Sequence, residues 1–213
     1  MKPRACVIVY PGSNCDRDVY YALEKTGFDV RYVGLEDSVN GYDLVVLPGG
    51  FSYGDYLRPG AVAARERVSF EVAKVAEKGK LILGICNGFQ ILIEMGLLEG
   101  ALLQNSSGKF ICKWVDLIVE DVDNPFTNAF RKGEKIRIPI AHGFGRYVKV
   151  SDVRVVLRYV DDVNGSDERI AGIVNEGKNI FGLMPHPERA VEDLLGGSDG
   201  LKFFESILRY LKG

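Results

Sequence analysis

Lys80-Leu81-Ile82-Leu83-Gly84-Ile85-Cys86-Asn87-Gly88-Phe89-Gln90 is the stretch on which the reading of this chain turns. An apolar run passes into Gly-x-Cys-x-Gly, and then into a helix-like pattern of Phe89, Ile91, Leu92 and Met95. Strand, sharp turn and helix together are the layout of a nucleophile elbow. A side chain presented at such a turn sits in a strained backbone conformation that tolerates only small neighbours, and Gly84 and Gly88 supply them. The following helix would point its first N–H groups at Cys86, favouring thiolate over thiol and offering donors to an oxyanion. The competing reading is a buried cysteine that acts only as a small hydrophobe.

Working outward, strands and helices alternate through the first half. Ala5–Tyr10 reads as a buried strand ended by Pro11-Gly12-Ser13-Asn14, followed by a helical pattern through Val19, Leu23 and Phe28 with Gly27 as its stop. Val30–Gly34 and Tyr42–Leu47 read as strands, the latter running into Pro48-Gly49-Gly50. The pattern predicts a helix over Ala61–Lys78, closed by Gly79, and a strand over Leu81–Ile85. This spacing argues for right-handed βαβ units and an open, mostly parallel sheet with helices on both faces, a flavodoxin-like α/β arrangement.

The second half changes character. Phe110–Val119, Ile136–Ile140, Tyr147–Lys149 and Val153–Tyr159 read as strands, most of them without room for helices between. Ile170–Asn175 and Ile180–Met184 flank Glu176-Gly177-Lys178-Asn179 as a hairpin, and Leu201–Leu211 closes the chain as an amphipathic helix. No repeat or linker interrupts this course, so the expectation is one domain over residues 1–213, a parallel core with a small antiparallel extension.

The totals bound the function. The chain has 213 residues, enough for a substantial core, and 27 basic against 29 acidic side chains leave a net charge of −2. That balance carries no electrostatic footprint for nucleic acid or an anionic membrane. Apolar runs are far shorter than a bilayer span and the first strand begins almost at once, so the expected location is the cytoplasm. Cys6, Cys15, Cys86 and Cys112 are scattered with no Cys-x-x-Cys pair, so neither a zinc site nor a disulfide framework is expected.

Ligand sites in open α/β sheets lie at the carboxyl ends of strands, and three clusters fall there. Leu47-Pro48-Gly49-Gly50-Phe51-Ser52-Tyr53-Gly54-Asp55 offers backbone N–H groups to an oxyanion or a carboxylate, although any Gly-Gly can be a plain turn. It lacks the Gly-Lys-Ser/Thr of a phosphate loop. The second cluster is the elbow at Cys86. The third is Met184-Pro185-His186-Pro187-Glu188-Arg189, where Glu188 stands two residues beyond His186, close enough to orient the imidazole and stabilise its charged form. A lone histidine at a strand end is more often structural. A cysteine elbow together with a downstream His-x-Glu favours a Cys86–His186–Glu188 triad.

With those residues in view, the chain resembles the class I (triad) glutamine amidotransferase family, whose pattern is Gly-x-Cys-x-Gly-x-Gln with a distant His-x-Glu. Gly84, Cys86, Gly88, Gln90, His186 and Glu188 all match. More narrowly it resembles the glutaminase subunits of phosphoribosylformylglycinamidine synthase, an enzyme of de novo purine synthesis. The stretches that carry this are Pro11 to Asp16, Leu47 to Gly60, Cys86 to Gln90, Phe110 to Trp114, Pro139 to Gly143 and Met184 to Arg189.

The resemblance implies that Cys86 attacks the side-chain amide of glutamine and that His186 and Glu188 manage the proton. The N–H groups of Gly50 and Asn87 would form the oxyanion hole, each worth ~2.7–4 kcal/mol by analogy with measured donors. Gly49, Phe51, Gln90 and the Gln104–Phe110 segment are the implied substrate-binding candidates. No cofactor or metal is implied in this chain; ATP and Mg would be used by a large synthetase subunit that receives the ammonia. A small bridging subunit is the other implied partner, with His142 and Arg146 as interface candidates. The family usually has His-Gly-Glu-Gly where this chain reads His142-Gly143-Phe144-Gly145, which puts only that loop's role in doubt, and Lys109 and Lys113 stand where Arg is frequent. Rival readings are a glutaminase serving another acceptor, a cysteine peptidase-like protein, or a catalytically silent binding module of the same fold. The position after Cys86 is Asn87, whereas the peptidase-like group commonly places a histidine there.

Overall fold

Val-rich and Leu-rich segments without polar residues form the centre of the molecule, because a strand covered on both faces cannot alternate. The computed structural model describes residues 2–213. β1 (Arg4–Ile8), α1 (Asp16–Thr26), β2 (Asp29–Val33), β3 (Leu44–Leu47), α2 (Arg67–Glu77), β4 (Leu81–Ile85) and α3 (Asn87–Glu94) make the first half. β5 (Ala101–Leu103), β6 (Ile111–Val119), β7 (Lys135–His142), β8 (Arg146–Val148), β9 (Arg154–Tyr159), β10 (Ile170–Val174), β11 (Ile180–Leu183) and α4 (Leu201–Lys212) follow. Every residue of β3 and β4 is buried.

Nine strands form one sheet in the order β2-β1-β3-β4-β11-β10-β9-β6-β7. The pairings from β2 to β11 are parallel, and those from β11 to β7 are antiparallel. The antiparallel strands therefore extend the same sheet, and the separate small sheet is β5 paired with β8. After β1 the chain crosses to β2 on one side and returns to β3 on the other. Right-handed crossovers then put α1 and α2 on opposite faces. α4 contacts α1, and α3 contacts β3, β4 and β11. The reversal of direction between β1 and β3 opens a crevice at their carboxyl ends, where the loops after β1, β3, β4 and β11 converge.

Two sequence expectations need revision, and one strand goes beyond them. The helix predicted over Ala61–Lys78 is shorter: Ala63–Arg65 is one 3-10 turn, Glu66 is extended (ψ 152°), and α2 starts at Arg67. Just before that turn, Gly60 (φ 80°) packs so close to the backbone of Gln90 and Ile91 that a β-carbon would come within 2.8 Å. Phe28 lies beyond α1, which ends at Thr26 with Gly27 in the left-handed conformation (φ 109°). β5 has no signal of its own, because three half-exposed residues pair only with β8. Among the described residues, no helix is long and apolar enough to cross a membrane.

Candidate active site

Cys86 caps α3 with φ 50° and ψ −103°, a conformation that costs a non-glycine residue energy and persists because its surroundings enforce it. Its N–H donates to the Leu183 carbonyl (2.8 Å), and its carbonyl accepts from the Gln90 N–H (3.1 Å). The elbow is thus pinned between β11 and the first turn of α3. The flanking glycines are needed for space rather than for dihedral freedom. A β-carbon on Gly84 would lie 2.7 Å from the Gly88 carbonyl oxygen, and one on Gly88 would overlap the Leu47 carbonyl.

β11 delivers the imidazole to the same end of the sheet. Past Met184 and Pro185, the His186 N–H donates to the Pro139 carbonyl of β7 (2.8 Å), which fixes the backbone between two strands. His186 Nδ1 and Glu188 Oε1 are 2.7 Å apart, and the two side chains are almost wholly buried. Nε2 has no hydrogen-bond partner in the protein. Burial disfavours charge on the imidazole, but the Glu188 carboxylate, with smaller contributions from the sulfurs of Cys86 and Cys15, outweighs it. The result is a pKa held well above the ordinary histidine value.

Cys86 and His186 share the wall of one cavity of about 180 Å³, lined also by Asn14, Cys15, Gly50, Phe51, Phe110, Ala141 and Arg189. The Cys86 sulfur is 3.8 Å from the Ala141 carbonyl oxygen. Phe51 and Phe110, both partly exposed, have ring centroids 6.2 Å apart at the cavity. A larger groove, about 1010 Å³, lies instead at the amino ends of β4 and β11, between Ala76, Asn124, Lys178 and Tyr210. It holds neither cysteine nor histidine.

Gly50 lines the cavity with φ 149°, and no backbone carbonyl takes up its N–H among the described residues. Its neighbours are engaged: the Phe51 N–H donates to Gly12, and the Gly49 carbonyl accepts from Asn14 and Cys15. The N–H of Asn87, at the first position of α3, is likewise one of the donors a helix start leaves open. Both oxyanion candidates are therefore available donors. Gly49 has a spatial role, since a β-carbon there would lie 2.7 Å from His186 Cε1.

Gln90, a substrate-binding candidate, also has partners within the protein. Its Oε1 accepts from Asn87 Nδ2 (2.9 Å) and its Nε2 donates to the Phe144 carbonyl (2.8 Å), while Asn87 Oδ1 accepts from the Ser52 N–H (3.1 Å). This chain ties the loop after β3 to the loop after β7 across the start of α3, and both amide atoms of Gln90 are occupied by it.

His142 is not a surface residue, which removes it from direct contact with a partner. It is buried, with Nδ1 3.0 Å from Asn105 Oδ1, and Gly145 leaves no space beside its ring. Burial first, and then the charge of His186, push its pKa down to about 4. Arg146 is only half-buried, and its Nε is enclosed without a hydrogen-bond partner. The alternation of β7 explains the misplacement: Ile136, Ile138, Ile140 and His142 share the buried side of that strand.

Two residues join the site that sequence reasoning did not single out. The Cys15 sulfur, nearly fully buried, lies with ligand atoms of His186 and Glu188 in a group whose members are within 4.8 Å of one another. Arg189 Nη2 donates to that sulfur (2.9 Å). Burial raises the Cys15 pKa, with hydrogen bonding from His186 opposing it, so its sulfur acts as a neutral thiol. Cys15, His186 and Glu188 would suit a divalent ion as donors, but the Arg189 guanidinium already occupies the sulfur. The signal for both residues was positional. Cys15 follows the carboxyl end of β1, at the switch point, and Arg189 follows Glu188 directly.

Comparison with known proteins came out as follows. Residues 2–197 match the CobB/CobQ-like glutamine amidotransferase domain. The chain is 79% identical to the phosphoribosylformylglycinamidine synthase subunit PurQ of Thermotoga maritima over 212 residues, covering 100% of both chains. It is 50% identical to the subunit of that name from Pyrococcus horikoshii, covering 97% of each. Among solved structures, a chain in the structure of PurLQS from Thermotoga maritima superposes with a TM-score of 0.98, at 79% identity, over 99% of this chain and 100% of that one. A glutamine amidotransferase from Thermotoga maritima at 20% identity shares the fold, with a TM-score of 0.60 over 90% of this chain and 78% of that one.

Proposed function

This chain belongs to the CobB/CobQ-like glutamine amidotransferase family, and from that premise we propose that Cys86, His186 and Glu188 are its catalytic triad for glutamine hydrolysis. The observation that carries the assignment is the shared cavity. It brings a strained, helix-capping cysteine together with an imidazole whose far nitrogen is held by a buried carboxylate.

The Cys86 thiolate attacks the side-chain carboxamide carbon of glutamine, and the carbonyl electrons move onto oxygen. The N–H groups of Gly50 and Asn87 receive that oxyanion, each contributing ~2.7–4 kcal/mol. Collapse breaks the C–N bond as His186 Nε2 protonates the departing nitrogen, so ammonia leaves and a glutamyl thioester remains. The neutral imidazole then takes a proton from water. Hydroxide adds to the thioester, and glutamate departs as Cys86 leaves as thiolate, restoring the ion pair. Glu188 fixes the tautomer with Nδ1 protonated throughout.

The chain serves as the glutaminase subunit of phosphoribosylformylglycinamidine synthase. Its ammonia goes to a large synthetase subunit that converts formylglycinamide ribonucleotide to formylglycinamidine ribonucleotide using ATP and Mg, with a small bridging subunit in the same complex. The near-complete overlap with the Thermotoga chain supports this reading. One continuous core supports treating residues 1–213 as one domain, and a biosynthetic role of this kind belongs in the cytoplasm. The test is glutamate release by the chain alone and with both partner subunits, ATP and the ribonucleotide. Stimulation on assembly is expected. Slow hydrolysis dependent on Cys86 but indifferent to those partners would point to another acceptor enzyme.

A further inference from the structure

The triad accounts for the reacting amide but leaves the other end of the substrate unassigned. Glutamine is a zwitterion whose α-carboxylate lies roughly 5 Å from its side-chain carbonyl carbon, given bond lengths near 1.5 Å. A half-open cavity of about 180 Å³ is of the size of such a molecule, so a carboxylate seated in it lies against its wall. A cation on that wall would offset its partial desolvation.

Besides the His186 imidazolium, which Glu188 already pairs, the cationic side chain on that wall is Arg189. Its guanidinium is one sulfur away from the imidazole, donating through Nη2 to Cys15, which itself lies within 4.8 Å of the ligand atoms of His186 and Glu188. Asp18 Oδ2 is 3.6 Å from Nε and balances part of its charge from outside the cavity. No acceptor among the described residues engages Nη1, and the side chain is 35% exposed. Glu188 does not compete for the guanidinium through Oε1, which faces His186 Nδ1. Asn14 stands beside Arg189 on the same wall with an amide able to donate, although its Oδ1 faces the Cys15 sulfur (3.2 Å). Phe51 and Phe110 form the apolar part of the lining.

We propose that Arg189 is a specificity-determining residue that binds the α-carboxylate of glutamine, with Phe51 and Phe110 flanking the methylenes and Cys15 fixing the guanidinium. The inference rests on the glutaminase reading above and deepens it: the enzyme selects a free α-carboxylate, and so free glutamine over glutamine within a peptide or as its α-amide. The reason is ordinary charge complementarity. A carboxylate gains a charge-assisted pair with Arg189, whereas a carboxamide leaves the guanidinium partly desolvated with no counter-charge.

The experiment compares glutamine with glutamine α-amide as substrates of the assembled complex, for the unaltered chain, Arg189→Gln and Arg189→Lys. The unaltered chain should prefer glutamine in kcat/KM by about tenfold to 100-fold, the range expected of a charged hydrogen bond. Arg189→Gln should raise the KM for glutamine by a similar factor, leave kcat within a few-fold, and abolish the preference over the α-amide. Arg189→Lys should restore part of it. Calorimetric titration of glutamine into Cys86→Ala chains with and without Arg189→Gln keeps the test independent of turnover and should show the same loss of affinity. Retained preference in Arg189→Gln would overturn the proposal, as would a fall in kcat at unchanged KM, which would make Arg189 a support for Glu188 instead. An unaltered complex that does not hydrolyse glutamine would defeat the glutaminase reading itself, a separate result.

Discussion

His186 Nδ1 and Glu188 Oε1 lie 2.7 Å apart on two nearly fully buried side chains, two residues apart in one 3-10 turn after β11. That pair makes the rest of the site intelligible. It keeps a proton on the imidazole that shares its cavity with Cys86.

The pair also links stability to pH. His186 is raised above its unfolded value, about 6.5, so its contribution is fully present below that pH and is lost as pH rises through the folded value. Glu188→Gln leaves a buried imidazolium without its counter-charge and should cost about 3–5 kcal/mol near neutral pH. The difference from the unaltered chain should narrow in alkaline solution, as read by denaturant melts across pH. Glutamine turnover should fall strongly but not vanish, because both reacting groups remain. A stability difference that is flat across pH would mean the imidazole is neutral at rest.

Gly88→Ala should prevent folding or cost more than about 4 kcal/mol, since the new methyl would overlap the Leu47 carbonyl between two buried elements. Gly79→Ala, where no atom lies within 4 Å of the added carbon, strains only its positive φ (78°) and should be far milder. Thermal melts of the two variants measure the contrast.

How much of this was legible beforehand follows from what each signal depends on. The elbow was readable because Gly84, Cys86 and Gly88 are adjacent in sequence and their spacing is itself the constraint. His186 and Glu188 were readable for the same reason. The crevice could be placed because apolar runs mark buried parallel strands, and ligands bind at their carboxyl ends. Cys15 and Arg189 were not singled out, since their meeting across 174 positions depends on the order β1-β3-β4-β11. His142 was misplaced because a histidine in a Gly-rich stretch looks exposed, while the alternation of β7 turns it inward. The break before α2 escaped notice because the extended residue that makes it, Glu66, is a good helix former and carries no turn signal.

Gln90 separates two roles that sequence alone could not. As the link between Asn87 and the Phe144 carbonyl, its replacement by Leu leaves buried partners unsatisfied, at about 1–3 kcal/mol for each group. It should also lower kcat, because Asn87 no longer holds the Ser52 loop beside Gly50. A direct substrate contact would instead raise KM with kcat and stability preserved. Steady-state kinetics with a melting curve decides between them.

The central claim is that Cys86 is the nucleophile that releases ammonia from glutamine. The direct test is glutamate release by the unaltered chain and Cys86→Ala, each combined with the large and small partner subunits, ATP and formylglycinamide ribonucleotide, and run in parallel with ammonia as nitrogen source. Complete loss of glutamine-dependent turnover in Cys86→Ala, with ammonia-dependent turnover and thermal stability retained, is the predicted result. Continued glutamine consumption by Cys86→Ala in that complex would contradict it.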